Sequence, residues 1–173
     1  MKNIFFLAFF SCFFLASLFT SCAYKPSSVY ISQVLGKKVY AKVLVNAEDP
    51  KNSVALKDAL DDVILNQFHL ILVPSASQAD TLMNISLNSI SFDPIEYDAN
   101  GYVNIYRANI SLHLSYTYKG KTGSIDKSSS EEFSIQGGST ISAAQRYTAI
   151  KNAAQKALDK MISLLAFRGY NAK

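Results

Sequence analysis

The feature that most constrains the fold is a long alternation of apolar and polar residues that ends at Tyr118. From Tyr106 onward, every even-numbered residue is apolar or aromatic and every odd-numbered residue is polar. Because successive side chains of a β-strand point to opposite faces of a sheet, this pattern predicts one strand over residues 102–118. At ~3.3 Å per residue the strand would be ~55 Å long. It must therefore project past an ordinary core or curve around one.

The segment before this strand contains a shorter strand and a helix. Residues 38–46 alternate in the same way and predict a strand with one buried face. Residues 53–68 carry apolar side chains three or four positions apart and predict a helix, with Asn52 or Ser53 as its N-cap. The apolar run at residues 70–73 is either the start of a buried strand or a loop that packs against the end of this helix.

A second alternation begins at Thr81 and changes phase after Leu87. One extra residue near Asn88-Ser89 would restore the register, which predicts a β-bulge there. The segment at residues 98–101, Asp-Ala-Asn-Gly, lies between two alternating segments, and Asn-Gly in that position predicts a hairpin turn. The same segment resembles the start of a calcium loop, but Arg107 stands where the bidentate glutamate would be needed. We therefore favour the turn.

The segment after the long strand predicts a return strand and a long helix. A turn at residues 119–123 precedes the polar stretch 124–132, which is typical of an exposed edge strand or of a projecting part of the hairpin. Apolar residues at helical spacing predict a helix over residues 141–167. Its small side chains would let the helix lie close to a sheet: Ala153, Ala154 and Ala157.

The order strand, helix, two or three strands, helix predicts an α+β fold. We expect a single-domain sandwich of two helices packed on one face of a largely antiparallel sheet of about four strands. This domain would span residues 37–168 and precede a tail at residues 169–173. The polar, odd-numbered face of the long strand would be free. If the strand after the first helix runs parallel to the first strand, Lys38, Lys119 and Arg168 share one end, and acidic residues collect at the other.

The N-terminus carries the pattern of an export signal. After a single lysine the chain is uncharged through Tyr24, and two small residues directly precede Cys22. This arrangement resembles a bacterial lipoprotein signal, which implies a signal peptide over residues 1–21, lipid attachment at Cys22 and a tether over residues 22–36. Two alternatives remain open. In the first, the apolar stretch is an uncleaved membrane anchor, for which it is long enough. In the second, the signal peptide is cleaved but no lipid is attached.

The two cysteines agree with an exported lipoprotein. Cys12 lies within the apolar stretch and would leave with a cleaved signal. The remaining chain of about 150 residues would then contain no disulfide and would depend on its hydrophobic core for stability. A cysteine at the first mature position is better explained by acylation than as a free thiol.

The sequence lacks the patterns of catalytic and nucleic-acid-binding proteins. The net charge is +4 and the sequence pI is about 9.0, but no lysine or arginine run is interleaved with aromatic residues, so we expect no nucleic-acid partner. His69 and His113 belong to no visible catalytic grouping. No phosphate-binding loop or zinc-protease motif occurs. We therefore expect neither a cofactor nor catalysis.

Short motifs along the chain resemble those of the LptE family, the lipopolysaccharide-assembly lipoproteins of Gram-negative outer membranes. In chain order they are Cys22-Ala23-Tyr24, Asp49-Pro50, Ala79-Asp80, Asp98-Ala99-Asn100-Gly101 and Tyr106-Arg107-Ala108. The resemblance covers nearly all of the sequence after the signal, in order and in spacing. It implies a fold of two helices on a four-stranded sheet, which agrees with the fold predicted from the residue patterns.

The resemblance implies a non-enzymatic outer-membrane lipoprotein on the periplasmic side, which plugs the LptD β-barrel, assists its assembly and binds lipopolysaccharide during delivery. Family members can present basic residues near the Asn-Gly turn and before the last helix. In this chain acids surround that turn, and residues 137–144 carry no charge. The candidate ligand-binding residues are Arg107, Lys119, Lys121 and Arg146.

Other functions remain open. The protein could support a different envelope machine, such as a cell-wall synthase, or it could be a lipid-transport accessory, which would need an apolar groove. The basic end of the domain would carry the tether. Its charges either serve solubility or are attracted to anionic lipid phosphates near the membrane surface.

Overall fold

The structure of the protein is a computed structural model that describes residues 27–44, 50–66, 70–136 and 139–171. Within these ranges the chain forms three α-helices, one 3-10 helix and five β-strands. The helices are α1 (Ser27–Leu35), α2 (Pro50–Asn66) and α3 (Ala143–Asn171), and the 3-10 helix is Ala76–Gln78. The strands are β1 (Lys38–Leu44), β2 (Ile71–Leu72), β3 (Thr81–Tyr97), β4 (Val103–Tyr118) and β5 (Lys121–Ser134).

The five strands form one mixed sheet in the order β2-β1-β3-β4-β5. β1 runs parallel to both β2 and β3, whereas β3, β4 and β5 form two long antiparallel pairs. The predicted α+β class is confirmed, as is the parallel arrangement of the first strand and the strand after the helix. The sheet has five strands rather than about four because Ile71 and Leu72 pair with β1 as a short edge strand.

The long strand and its bulge are also confirmed. β4 spans Val103–Tyr118, and β3 and β5 pair with it along nearly its whole length. The register of β3 against β4 shifts between Leu87 and Ser89, which is the predicted β-bulge. Beyond the bulge, apolar residues return to the face that carries the core, so both halves of β3 contribute to one side of the sheet.

The two hairpins that flank β4 close with turns of different chemistry. Lys119 and Gly120 have positive φ angles of 48° and 74°, as a type I′ turn requires. At the other hairpin, the Asp98 carboxylate accepts hydrogen bonds from the backbone N–H groups of Asn100 and Tyr102, at 2.9 and 2.8 Å. This segment is the hairpin turn that the sequence predicts, and its aspartate is used to hold the turn.

One hydrophobic core joins the three helices to one face of the sheet. On the sheet side, Ile85, Leu114 and Ile125 are cross-strand neighbours and all are buried. On the helix side, α3 contributes alanines that are fully buried, as the sequence predicts: Ala153, Ala154 and Ala157. Because these side chains are small, the helix backbone lies close to the strands. Of the described helices, none is both long and apolar enough to cross a membrane.

Residues 27–35 form helix α1, whereas the sequence predicts a tether over residues 22–36. Ile31 and Leu35 of this helix are fully buried in the core. The domain therefore includes α1, and any tether lies before Ser27. The apolar residues of this segment have helical spacing, but the serines and glycine around them conceal the pattern. Contact with the rest of the domain then fixes the helix.

Helix α3 is longer than predicted because its last turn packs against α1. It continues to Asn171, so residues 169–171 belong to the helix and not to a separate tail. The Tyr170 ring meets the Tyr30 ring edge to face, with centroids 5.7 Å apart. Gly169 is buried there, and a Cβ at this position would lie 2.1 Å from the Tyr30 carbonyl oxygen. The two helices can approach this closely because residue 169 has no side chain.

The Asp80 carboxylate fixes the junction between α1 and β1. Its Oδ2 accepts hydrogen bonds from the backbone N–H groups of Lys38 and Lys37, both at 2.9 Å. These two bonds hold the pKa of Asp80 below its usual range. Gly36 at the same junction has a φ of +70°, and a Cβ there would lie 2.6 Å from the Asp80 Cβ. The chain reversal between helix and strand therefore depends on both residues.

We expect Gly169→Ala to destabilise the protein, although alanine normally strengthens a helix by about 1 kcal/mol relative to glycine. The added methyl group would overlap the Tyr30 carbonyl and separate α1 from α3, so the free energy of unfolding should fall by about 1–3 kcal/mol. Urea denaturation followed by circular dichroism measures this change. Ser163→Ala, at an exposed position of the same helix, is the control and should be neutral. Equal behaviour of the two variants would contradict the proposed contact.

We also expect Asp80→Asn to lower stability at neutral pH, because the amide cannot supply the negative charge that attracts the two N–H groups. The folded-state pKa of Asp80 is lowered, so its charge stabilises the fold fully above the unfolded-state pKa of about 4. That stabilisation is lost as the pH falls through the lower folded-state pKa. Urea denaturation between pH 7 and pH 3 should show the wild-type advantage shrinking with acidity.

Asp61→Asn is the matched control for this pH series. Asp61 forms an exposed ion pair with Lys57 one helical turn away, and such pairs contribute little to stability. A wild-type advantage over Asp80→Asn that stays constant down to pH 3 would show that the carboxylate charge has no role at this junction.

Candidate functional surfaces

The four basic residues predicted as ligand contacts do not form one site. Lys119 and Lys121 lie at the turn between β4 and β5. Arg107 lies well along β4, between Asp93 of β3 and Glu132 of β5. Arg146 belongs to the first turn of α3, on the other side of the sheet. These residues must therefore serve separate surfaces.

Two ends of the sheet organise these surfaces. We call the end with Gly36 and the Lys119-Gly120 turn the proximal end, because Thr81 pairs there with both Val39 and Tyr118. The distal end carries the hairpin turn at residues 98–101.

Cys22 and His69 lie outside the described residues, as do Glu48, Asp49 and Lys173. Among the residues that the structure describes, no group of three or more His, Cys, Asp or Glu is arranged to hold a metal ion.

The polar side chains of β4 and their neighbours form the open face, on the side of the sheet away from the core. Its central members are Ser91, Asp93, Arg107, Asn109, Ser111, His113, Asp126, Ser128, Ser130 and Glu132. They lie side by side because the register places polar residues of β3 and β5 next to each odd-numbered residue of β4. The sequence predicts this face for β4, and pairing extends it over three strands.

Side-chain contacts across the open face pair most of its charges. Arg107 donates to Glu132 Oε1 from Nε and Nη2, at 3.1 and 2.7 Å. Asn109 Nδ2 donates to Asp93 Oδ2 at 2.6 Å, and His113 Nδ1 lies 2.8 Å from Asp126 Oδ1. The Arg107 and Glu132 side chains are 43% and 55% exposed, so this ion pair stabilises the fold by only ~0.2–1 kcal/mol. So small a contribution to fold stability does not explain why the open face carries these charged pairs.

A pocket of about 460 Å³ lies at the proximal end, and we call it the proximal basic pocket. Its lining includes Val34, Tyr116, Tyr118, Lys119, Lys121 and Arg168. Arg168 Nη1 donates to the Ser124 carbonyl oxygen at 3.3 Å and to Tyr116 Oη at 3.4 Å. Lys119 Nζ lies 5.2 Å from the centre of the Tyr118 ring. The predicted grouping of Lys119 with Arg168 at one end is thus confirmed.

A cluster of three aromatic rings lies toward the distal end. The Phe133 ring stacks on Tyr106 and meets Phe92 edge to face, with centroids 6.2 Å apart in both pairs. The guanidinium of Arg146 lies 4.4 Å from the centre of the Phe92 ring, a cation–π contact. Nearby, the side chains of Tyr97 and Tyr102 are exposed. Here a cation lies directly beside apolar surface.

A groove of about 840 Å³ lies where α3 meets strands β3, β4 and β5. Several serines, Lys156, Asp159 and Lys160 line it. Lys156 Nζ bonds the Glu131 carboxylate at 2.5 Å, and this contact lowers the pKa of Glu131. Asp159 Oδ1 is buried and has no hydrogen-bond partner within the described ranges. The sequence did not predict this groove, because it depends on how α3 crosses the sheet.

Helix α3 also covers the backbone of the edge strand β5. The carbonyl oxygens of Ser124, Ser128 and Ser134 accept hydrogen bonds from side chains of α3: Arg168, Lys160 and Gln145. β5 is the edge strand that its polar sequence predicts. Because α3 occupies several of its outward carbonyls, this edge is less available for pairing with another strand.

The family model of LptE, described as lipopolysaccharide-assembly, matches residues 37–165, which is more than half of the chain. No curated protein matches the sequence. Among solved structures, a candidate lipoprotein from Caulobacter crescentus CB15 is 13% identical, with a TM-score of 0.54 over 83% of this chain and 96% of that one. This similarity shows a shared fold.

Two further structures match less well. Rare lipoprotein B from Shewanella oneidensis is 11% identical, with a TM-score of 0.46 over 74% of this chain and 96% of that one. The uncharacterized lipoprotein B from Nitrosomonas europaea is also 11% identical, with a TM-score of 0.47 over 76% of this chain and 84% of that one.

Proposed function

The chain belongs to the LptE lipopolysaccharide-assembly family, and we propose that it is a lipid-anchored outer-membrane protein that plugs an LptD-type β-barrel. In this role it assists assembly of the barrel and helps to deliver lipopolysaccharide to the cell surface. It works by binding and catalyses no reaction. The signal peptide of residues 1–21 would be removed, and Cys22 would carry the lipid on the periplasmic side of the membrane.

The observation that carries the proposal is the open face. The lumen of a transmembrane β-barrel is polar, so a protein that fills it needs a polar surface whose hydrogen-bonding groups are satisfied. The Arg107–Glu132 and Asn109–Asp93 contacts meet this requirement within the protein itself. A groove that carries lipid would instead be lined mainly by apolar side chains.

Arg146 is the best placed of the four candidate residues to contact lipopolysaccharide. Arg107 is already paired with Glu132, and Lys119 and Lys121 lie at the other end, where the tether would enter. In the described part of the chain, no carboxylate lies within ion-pair distance of Arg146. Its guanidinium rests on Phe92, so phosphate-binding N–H groups lie beside aromatic rings that suit an amphipathic ligand.

We expect a photoreactive residue at Ser111 or Ser115, both on the odd-numbered face of β4, to cross-link to an LptD-type barrel in intact envelopes. The same residue at Ser163, exposed on α3, is the matched control and should cross-link less. A C-terminal tag, mild detergent and mass spectrometry identify the partner. The mass of the N-terminal peptide reports whether Cys22 is acylated.

Three outcomes would each contradict part of the proposed function. Recovery of a cell-wall synthase or a transport ATPase in place of the barrel would favour a role in another envelope machine. Cross-links from Ser163 alone would place the helices, rather than the open face, against the barrel. An unmodified chain that retains residues 1–21 would exclude the lipid anchor, whichever partner is found.

We expect Arg146→Gln to weaken binding of purified lipopolysaccharide about tenfold, because one charge-assisted hydrogen bond is worth at least ~1.5 kcal/mol. Arg107→Gln is the control with the same charge change, and its effect should be small because Glu132 already neutralises Arg107. Fluorescence titration at fixed ionic strength measures both affinities. Equal losses in the two variants would indicate a general charge effect and not a contact at Arg146.

A further inference from the structure

Three cations converge on the proximal basic pocket: Lys119 and Lys121 from the β4–β5 turn and Arg168 from the end of α3. The Arg168 and Lys119 side chains contact neutral groups, namely the Ser124 carbonyl, the Tyr116 hydroxyl and the Tyr118 ring. Across the described ranges, no carboxylate lies within 4.0 Å of their charged nitrogens. Asp80 lies at the same end and interacts electrostatically with Lys119, while its Oδ2 accepts two backbone hydrogen bonds. It offsets one of the three positive charges. The pocket therefore keeps an excess of positive charge.

The fold sets the backbone positions of the groups in this pocket, and the Lys119 and Lys121 side chains are exposed. Lys119 occupies a turn whose φ angles are both positive, and Lys121 follows it as the first residue of β5. Arg168 is fixed from two sides, by the β5 backbone and by Tyr116. Several cationic donors around one cavity suit a phosphate, which accepts several charge-assisted hydrogen bonds at once. The two tyrosines add rings of the kind that are enriched at membrane interfaces.

The position of α1 places this pocket near a membrane. Val34 of α1 lines the pocket, and Tyr30, one turn earlier, contacts the end of α3. Ser27, where α1 begins, lies only five positions after Cys22. At ~3.6 Å per residue this segment reaches at most about 18 Å. A lipid on Cys22 would therefore hold the proximal end close to the headgroups.

We propose that the proximal basic pocket binds the phosphate of an anionic phospholipid headgroup in the bilayer to which the protein is tethered. The phosphate would lie among Lys119, Lys121 and Arg168, with Tyr116 and Tyr118 beside the glycerol region. This contact would complement the N-terminal lipid and orient the domain relative to the membrane. The proposal rests on the proposed lipid anchor but needs neither the barrel partner nor lipopolysaccharide binding.

The test is flotation of the chain from residue 22 onward, with Cys22→Ser, on vesicles of phosphatidylcholine with or without phosphatidylglycerol. This chain retains every described element, and the absence of the acyl group removes lipid insertion as a source of binding. The variant is Lys119→Asn with Lys121→Gln, because asparagine favours the type I′ turn and preserves the fold. The control is Lys42→Gln with Lys151→Gln, which removes the same charge away from the pocket.

We expect binding to require phosphatidylglycerol and to weaken about 25-fold in the pocket variant, at ~5-fold per cation. The control pair should bind like the parent chain. Thermal unfolding by circular dichroism should show that both variants remain folded.

Three results would overturn the proposal. Equal losses in the pocket and control variants would mean that net charge alone drives binding. Binding that is independent of phosphatidylglycerol would exclude a headgroup phosphate as the ligand. Binding to lipopolysaccharide but not to phosphatidylglycerol would assign the pocket to a different phosphate source. None of these results depends on whether the barrel is the partner.

Discussion

The close packing of helix α3 on the sheet is the constraint on which the other surfaces depend. Its buried alanines let its backbone approach the strands, and this approach brings its flanking side chains within reach of other elements. Arg168 reaches the proximal basic pocket, Arg146 reaches the distal aromatic rings and Lys160 reaches the edge of β5. Gly169 lets α1 dock at the same end. Larger side chains on the buried face of α3 would raise the helix and separate all of these contacts together.

Polar groups find different partners on the two sides of the sheet. On the open face, acids and bases lie opposite each other across strands, so charges such as Arg107 are largely neutralised. On the helix side, α3 uses Lys160 and Arg168 to cover outward carbonyls of β5. Among the described residues, cations without a carboxylate partner lie at both ends of the domain and also between them, as Lys42 and Lys151 do. The neutralised charges of the open face favour a surface that rests against polar surroundings.

Most of the correct predictions came from the alternation of apolar and polar residues along the strands. β4, the bulge at Leu87 and Ser89 and the 98–101 turn follow from alternation and turn chemistry, which are local. Helix α1, the two-residue strand β2 and the end of α3 depend on tertiary contacts such as that of Gly169 with Tyr30. Topology correctly placed the candidate residue Lys119 at the same end as Arg168. The pairing of Arg107 with Glu132 could not be foreseen, because it depends on the register between β4 and β5.

The length of β4 separates the two cationic ends by a distance close to the thickness of a bilayer. Arg146 lies over Phe92, which pairs with Ala108 of β4, and Lys119 follows the last residue of the same strand. At ~3.3 Å per residue the two levels are about 36 Å apart, slightly more than the ~30 Å hydrocarbon core of a bilayer. If the proximal basic pocket lies at the periplasmic headgroups and β4 runs along the membrane normal, Arg146 reaches the level of the opposite headgroups inside a barrel. The proposed functions then assign the two cationic ends to phosphates of different leaflets.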